Sequence, residues 1–307
     1  MSQRGKLGLP AVRANLIAEG LLFVGISAFS DRSSLRTRGT PNRGPKTMQH
    51  SLTHSSLKGI PMGTREWFAA QREMIRSKPL IRRCYSLWYK CLLEDADSVP
   101  ATYRTGRLVE LGSGSGYFKE VRPEVITSDV APGIADMVIE GRVLPFEDQS
   151  VQALFLTHVF HHIPDVELFF DEALRVLTPG GVISMVEITH TPFARWFFRQ
   201  IHPEPYNDRS QEWSFPERNS MLDSNQALSW MVLVRDEVKF RMRFPKLRLE
   251  RRRYLPWLSY LLSGGVNLRS FVPKPLAPLV MGLDWLVKPL DRLCAIHWHI
   301  TVRKVAG

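Results

Sequence analysis

The chain has 307 residues, 44% hydrophobic and 23% charged, which is a globular composition with length for one large domain or one and a half ordinary ones. No apolar run reaches the roughly 18–20 residues that span a bilayer. Three cysteines without a C-x-x-C pair exclude a cysteine-based metal site and an even disulfide framework. The net charge of +11 is uneven: +7 over residues 1–60, +3 over 61–106, −8 over 107–190 and +9 over 191–307. A nucleic-acid reader carries its basic excess on the working domain, so nucleic acid is disfavoured as a partner.

Residues 1–60 read as a disordered basic N-terminal segment, because 30–60 are rich in Ser, Thr, Arg, Gly and Pro. Within it, "LIAEGLLFVGISAF" (16–29) faintly resembles a secretory signal, but Glu19 interrupts it and the cleavage-site residues are poor. Residues 61–105 read as a helical N-terminal extension, with aromatic and aliphatic residues at spacings near three and four, broken at Pro79. Cys84, Cys91 and Cys294 read as core positions of a reduced, cytoplasmic protein.

From residue 106 the rhythm changes. "RLVEL" (107–111), "VITSDV" (125–130), "DMVIE" (136–140), "VQALFLTHV" (151–159) and "GVISMVEI" (181–188) read as strands, with helices over 116–122 and 165–177, the latter stopped by "TPGG". Nearly continuous apolar strands alternating with helices predict a parallel sheet covered on both faces. Beyond Thr189 the alternation stops. A Pro- and aromatic-rich stretch (191–220), a helix (222–236), strand-like alternation (238–254), broken helical segments (255–293) and a last strand (295–305) follow. The expected fold is α/β, a Rossmann-like doubly wound and mostly parallel sheet. Residues 106–190 form its ligand-binding core, and 191–307 form a cap or substrate region with the final strands, inserted before and after the penultimate strand.

"ELGSGSG" follows the first strand, where ligands of open α/β sheets bind. Gly112, Gly114 and Gly116 allow a sharp turn and close backbone approach, while the following helix N-terminus favours negative charge. The spacing is G-x-G-x-G, with Tyr117 where a dinucleotide motif continues differently, and no Gly-Lys-Ser/Thr follows to make a phosphate loop. Asp129, ending the second strand, suits hydrogen bonding to ribose hydroxyls. The implied ligand has a ribose and lacks a pyrophosphate.

These residues, followed by "LPFEDQSVQALFLTHVFHHIPDVELFFDEALRVLTPGGVISMVE", resemble class I S-adenosylmethionine-dependent methyltransferases of the small-molecule type 11 group, over roughly residues 106–190. The resemblance implies a methyltransferase using S-adenosyl-L-methionine. Glu110, Gly112, Gly114 and Gly116 would wrap its methionine and adenosine portions, and Asp129 would hold the ribose. Glu140 and Gly141 would contact adenine, and Thr157 would border the transferable methyl. The stretches after Gly116 and Asp129 are short for the family, so the adenine side is either open or closed by the N-terminal helices.

A general base serves a hydroxyl acceptor, and His158, His161 and His162 after the fourth strand are the catalytic candidates. His190, His202 and Tyr206 are more remote ones. No cysteine or carboxylate completes metal spacing with the histidine pair, so no metal is expected. Trp196, Phe197, Phe198, Arg199, Trp213, Arg251, Arg252, Arg253 and Trp257 in the cap suit a sugar, an anionic group or a lipid-linked acceptor, or form the cap's own core. "YLPWLSYLLSGG" and "LVMGLDWLVKPLDRL", amphipathic with basic neighbours, allow peripheral membrane contact. The reading is methyl transfer to a small-molecule, sugar- or lipid-linked acceptor, at oxygen. The alternative is a non-catalytic methyltransferase-like binding or scaffold protein at a membrane surface. No motif encodes the acceptor's identity or the oligomeric state.

Overall fold

The computed structural model describes residues 53–202, 204–217 and 223–305. Seven strands form one sheet: β1 (Arg107–Leu111), β2 (Ile126–Asp129), β3 (Met137–Val138), β4 (Val151–Thr157), β5 (Leu177–Ile188), β6 (Leu247–Tyr254) and β7 (His297–Lys304). Their order is β3-β2-β1-β4-β5-β7-β6. The first five run parallel, and β7 lies antiparallel between β5 and β6. Strand β4 is buried along almost its whole length, as an unbroken apolar run in a doubly covered sheet demands.

Helices α1 (Arg65–Ser77), α2 (Pro79–Asp97), α3 (Phe118–Val121), α4 (Val166–Val176), α5 (Pro192–Gln200), α6 (Glu237–Arg243), α7 (Leu258–Ser263) and α8 (Ala277–Leu286) flank the sheet. Local chemistry starts several of them. The Thr64 side chain accepts from Trp67 N–H and that of Asp165 from Glu167 and Leu168 N–H, while prolines open α2 and α5. One face of the sheet packs on Phe169, Phe170 and Phe240 from α4 and α6. The other packs on α2, α5 and α7 through Trp88, Leu92, Phe197 and Leu261.

Four expectations change. The part of the N-terminal segment that is described, 53–60, is packed: Leu57 is buried and His54 N–H donates to Asn267 O at 3.0 Å. The remainder, including the signal-like 16–29, lies outside the described residues. "TPGG" does not separate helix from strand. Strand β5 starts at Leu177, which pairs with Val151, and a register shift between Val151 and Ala153 absorbs the glycines. Residues 238–254 are not one strand. Phe240 and Phe244 sit four apart and both meet the Phe170 ring, at 5.1 and 5.2 Å between centroids, so helical packing wins over alternation in that short stretch. The predicted helix 222–236 narrows to Leu228–Trp230 and a wider turn, Met231–Arg235.

One polar network ties the N-terminal extension to the sheet. Asp95 at the end of α2 accepts from Ser184 Oγ (2.6 Å), Thr301 Oγ1 (2.6 Å) and Arg251 Nη1 (2.9 Å), and lies 2.8 Å from His299 Nε2. These partners come from β5, β6 and β7.

Candidate active site

The sheet order reverses between β1 and β4, which opens a crevice at the carboxyl ends of the strands. A cavity of about 280 Å³ lies there. It is bordered by Glu110 from β1, Asp129 from β2 and Thr157 from β4. The N-terminal helices close one side: Phe68 and Gln71 of α1, and Tyr85 and Tyr89 of α2, reach its wall. Phe68 packs against the glycine turn at Gly114, whereas Gly141 faces Ile163 and Phe169. The crossovers beneath are short, with only four residues in α3 and no helix between β2 and β3 among the described residues.

The glycine turn is left-handed at Gly112 (φ +61°) and Gly114 (φ +47°). A Cβ on Gly112 would lie 2.5 Å from Val159 Cγ2, and one on Gly114 3.2 Å from Phe68 Cε1. Side chains are therefore excluded by backbone handedness and by the protein's own walls before any ligand is considered. Gly116 stands behind the cavity wall, where its missing side chain makes room for the Arg72 guanidinium. The other predicted cofactor residues, Glu110, Gly112, Gly114, Asp129, Glu140, Gly141 and Thr157, all line the cavity.

Asp129 is held in place by the turn. Its Oδ2 accepts from Gly114 N–H at 3.1 Å and its Oδ1 from Ala131 N–H at 3.0 Å. Burial raises its carboxyl above the usual range, and those backbone bonds pull it back in part. Burial pushes the Glu110 carboxyl much further, up to about 8, with Ser113 opposing and the Asp129 charge adding to it.

The three histidines separate in role. His158 follows β4 directly in a left-handed conformation, φ +59°, uncommon outside glycine and a mark of a constrained site. Its ring is wedged against Trp88 and His297, 5.3 and 4.5 Å between centroids, and burial lowers its pKa to about 4. His161 and His162 follow in a helical turn, Phe160–His162. His161 Nδ1 lies 2.6 Å from Glu187 Oε2, and Glu187 Oε1 also accepts from Val159 and Phe160 N–H at 2.9 and 2.8 Å. Glu204 brings a second carboxylate, its Oε2 3.7 Å from the Nε2 of both His161 and His162. The absence of a completing carboxylate, inferred from spacing, is thus corrected: the fold supplies one from beyond β5.

Glu187, Glu204, Gln226, Tyr260 and His297 were missed by sequence reasoning. Glu187 closes the stretch that carries the family resemblance, where its signal is a charge inside an apolar strand, and the other four sit outside it. His202 does line the cavity, whereas His190 and Tyr206 pair with one another at 2.7 Å outside it. The cap's arginine–aromatic set disperses. Phe197 and Trp213 are core and Trp196 is exposed, while Arg251, Arg252 and Arg253 lie on edge strand β6. Phe198 alone of that set lines the cavity.

Two properties of the cavity define its ligand. Among the described residues no Lys or Arg lines it, whereas Glu110, Asp129, Glu140, Glu204 and Glu217 do, with Glu140 and Glu217 each paired to Arg142 at 2.6 Å. Buried polar atoms without a protein partner concentrate there as well: Glu110 Oε2, Thr157 Oγ1, His158 Nε2, Gln226 Oε1 and His297 Nδ1. Buried polar atoms are normally satisfied, so such a cluster marks a place for a ligand.

The sheet order, glycine turn and strand-end carboxylate together define a Rossmann-like α/β protein with its crevice at the switch point between β1 and β4. The family model described as "Methyltransferase domain", of the type 11 group, matches residues 109–185, about a quarter of the chain. Among curated relatives, demethylmenaquinone methyltransferase of Tropheryma whipplei is 32% identical over 65 residues, 20% of this chain and 27% of that protein. The biotin biosynthesis bifunctional protein BioHC of Cellvibrio japonicus is 32% identical over 101 residues, 28% of this chain and 20% of that protein. The chain thus spans about a quarter of the length of the curated relatives it matches. Solved structures similar to it include geranyl diphosphate C-methyltransferase from Streptomyces coelicolor A3(2), at 15% identity and TM-score 0.45, covering 80% of this chain and 85% of the other. Another is an S-adenosylmethionine-dependent methyltransferase from Mesorhizobium loti, at 14% identity and TM-score 0.39, covering 75% of this chain and all of the other.

Proposed function

We propose that the protein transfers a methyl group from S-adenosylmethionine to the oxygen of a small, uncharged acceptor, or of the uncharged head of a lipid- or sugar-linked one. The observation that carries the reading is the acidic cavity free of Lys and Arg, lined by orphaned polar atoms. It suits a cationic sulfonium and disfavours an anionic acceptor. When bound, S-adenosylmethionine supplies a methyl activated by its sulfonium: the carbon–sulfur bond breaks as a carbon–oxygen bond forms, leaving a neutral thioether. Glu110, held protonated by burial in the free protein, places negative charge beside the cationic ligand once it ionises, and Asp129 presents its carboxylate for ribose hydroxyls. Glu140 and Gly141 form the adenine side and Thr157 the methyl side. His158 holds and accepts the acceptor's hydroxyl proton, because its Nε2 has no partner in the protein. His161 and His162 contribute through the carboxylate cluster they share. Positioning of the two reactants supplies the larger part of the acceleration, about 7–11 kcal/mol.

The test is calorimetric titration of the protein with S-adenosylmethionine and S-adenosylhomocysteine, then an acceptor screen on hydroxylated compounds with the His158→Asn variant alongside. Asn tolerates the left-handed backbone, so unchanged cofactor affinity with turnover at least tenfold lower is expected. Failure of a folded parent protein to bind either cofactor form would sink the reading.

A second reading, a non-catalytic protein at a membrane surface, is favoured by the face around α8. Leu276, Leu279, Trp285, Leu286, Leu290 and Leu293 are all exposed there, beside Lys274, Lys288 and Arg292. Such an apolar face with a basic border suits anionic lipid. No helix among the described residues is long and apolar enough to cross a membrane. Sedimentation with anionic and neutral vesicles tests the contact. Vesicle binding combined with cofactor binding, but no turnover on any acceptor, would favour this reading over the first.

A further inference from the structure

We propose that His161 Nε2, His162 Nε2 and a Glu204 carboxylate oxygen form a site for one divalent cation of the borderline transition class, Zn²⁺ or a close chemical neighbour, on the cavity wall.

Geometry is the first support. The two consecutive rings lie 4.4 Å apart, and all three donor atoms fall within 4.8 Å of one another. Each Nε2 is 3.7 Å from Glu204 Oε2. Donors about 2.0–2.2 Å from a shared cation lie roughly 3–3.6 Å apart. The two nitrogen–oxygen separations therefore need to close by a few tenths of an ångström, and the two nitrogens start within 4.8 Å of each other.

The outer contacts point the same way. A ligating histidine characteristically donates its other ring N–H to a carboxylate or a backbone carbonyl, which fixes the tautomer and aims the free nitrogen at the metal. Both halves of that pattern are present: His161 Nδ1 faces Glu187 Oε2 at 2.6 Å, and His162 Nδ1 faces the Asp223 carbonyl at 3.1 Å. In the tautomer with the proton on Nδ1, each Nε2 keeps its lone pair, and both Nε2 atoms lie 3.7 Å from Glu204 Oε2. Glu204 is steadied in turn by the Gln226 side-chain amide, and Glu187 by two backbone N–H groups.

Charge balance is the third support. The side chains of Glu187 and Glu204 are 0% and 9% exposed. No Lys or Arg lines the cavity among the described residues. Ligation takes the imidazoles in their neutral form, which leaves the two buried carboxylates for a divalent cation to balance. Two nitrogen donors and one oxygen select against Mg²⁺ and Ca²⁺, which favour all-oxygen sites. Three protein ligands leave at least one coordination position, and all three residues line the cavity, so that position faces it. Resting on the methyl-transfer reading, the cation would hold the acceptor's oxygen there and make its hydroxyl more acidic. Cation binding itself does not depend on that reading.

The test uses the full-length protein, stripped with a chelator and without cofactor. It is titrated with Zn²⁺ by calorimetry and with Co²⁺ by visible absorption, whose bands report nitrogen ligation. One ion per chain is expected. Glu204→Gln and His162→Asn should each weaken it at least tenfold. Glu187→Gln, which keeps all three donors but frees His161, should weaken it about 10–100-fold. S-adenosylhomocysteine binding and the thermal midpoint of each variant separate site loss from misfolding. No saturable binding by the parent protein would overturn the proposal, as would binding untouched by Glu204→Gln and His162→Asn. If the stripped protein binds S-adenosylhomocysteine but no metal, the cation site falls and the methyl-transfer reading stands. If it binds one ion but no cofactor, the site stands and methyl transfer falls.

Discussion

Replacing Glu110 with Gln should make the protein more stable and less able to bind its cofactor, and the size of the gain should depend on pH. Glu110 is 2% exposed and burial pushes its carboxyl up to about 8, against an ordinary value of 4.5. Because the folded state holds this proton to higher pH than the unfolded chain, stability is greatest below about pH 4.5. It is lost progressively as pH rises to about 8. Each pH unit in that window costs about 1.4 kcal/mol, so the whole penalty is about 5 kcal/mol. Gln has the shape of the protonated acid and carries no such penalty. The variant should match the parent's stability near pH 4.5 and exceed it by several kcal/mol at pH 8, a difference on the order of 10 °C in thermal midpoint. Calorimetric melts across that range measure it directly. S-adenosylmethionine affinity should meanwhile fall at least tenfold, about 1.4 kcal/mol, and the parent's own affinity should tighten as pH rises toward 8. A variant whose midpoint follows the parent's at every pH would refute the assigned burial cost. One that binds S-adenosylmethionine as tightly as the parent would refute the placement of Glu110's charge beside the ligand.

Other outcomes follow from the same geometry. Gly112→Ala should cost about 2–4 kcal/mol and abolish cofactor binding, since φ is +61° and the new Cβ would meet Val159 at 2.5 Å. Adding Val159→Ala should recover part of the stability in urea melts, and no recovery would mean that the contact is not the cause. Asp129→Ala should weaken both S-adenosylmethionine and S-adenosylhomocysteine at least tenfold in calorimetry, because the variant loses the ribose carboxylate and the partner of Gly114 N–H together. Unchanged affinity would place the ribose elsewhere. Asp95→Ala should cost about 3–5 kcal/mol in chemical denaturation, because it leaves His299, Ser184, Thr301 and Arg251 without their shared acceptor. A cost below about 1 kcal/mol would show that the network does not hold α2 to the sheet.

What the sequence determined by itself was what depends on near neighbours along the chain. The apolar runs of β1, β4 and β5 require a covered parallel sheet. The three glycines require a left-handed turn after β1, and Asp129 ends the strand beside that turn whatever the rest of the chain does. Short segments with two compatible periods were not determined. Phe240 and Phe244 read as alternation until Phe170 supplied the contact that makes a helix the better burial. The tertiary structure alone decided who shares the cavity. Phe68 and Tyr85 arrive from the N-terminal extension, Glu204 and Gln226 from the cap, and His297 from the last strand, while Glu187, inside β5, meets His161 Nδ1. No spacing rule links these positions, because the sheet's crossovers and the antiparallel β7 bring them together across most of the chain's length. The histidines illustrate the division: their order after β4 marked them as candidates, and only the folded carboxylates on either side distinguish the free His158 from the paired His161 and His162. The cap's arginines show the converse. With the cap's aromatics they suggested a sugar, an anionic group or a lipid-linked acceptor, but β6 is an edge strand, and pairing with β7 sets them away from the cavity.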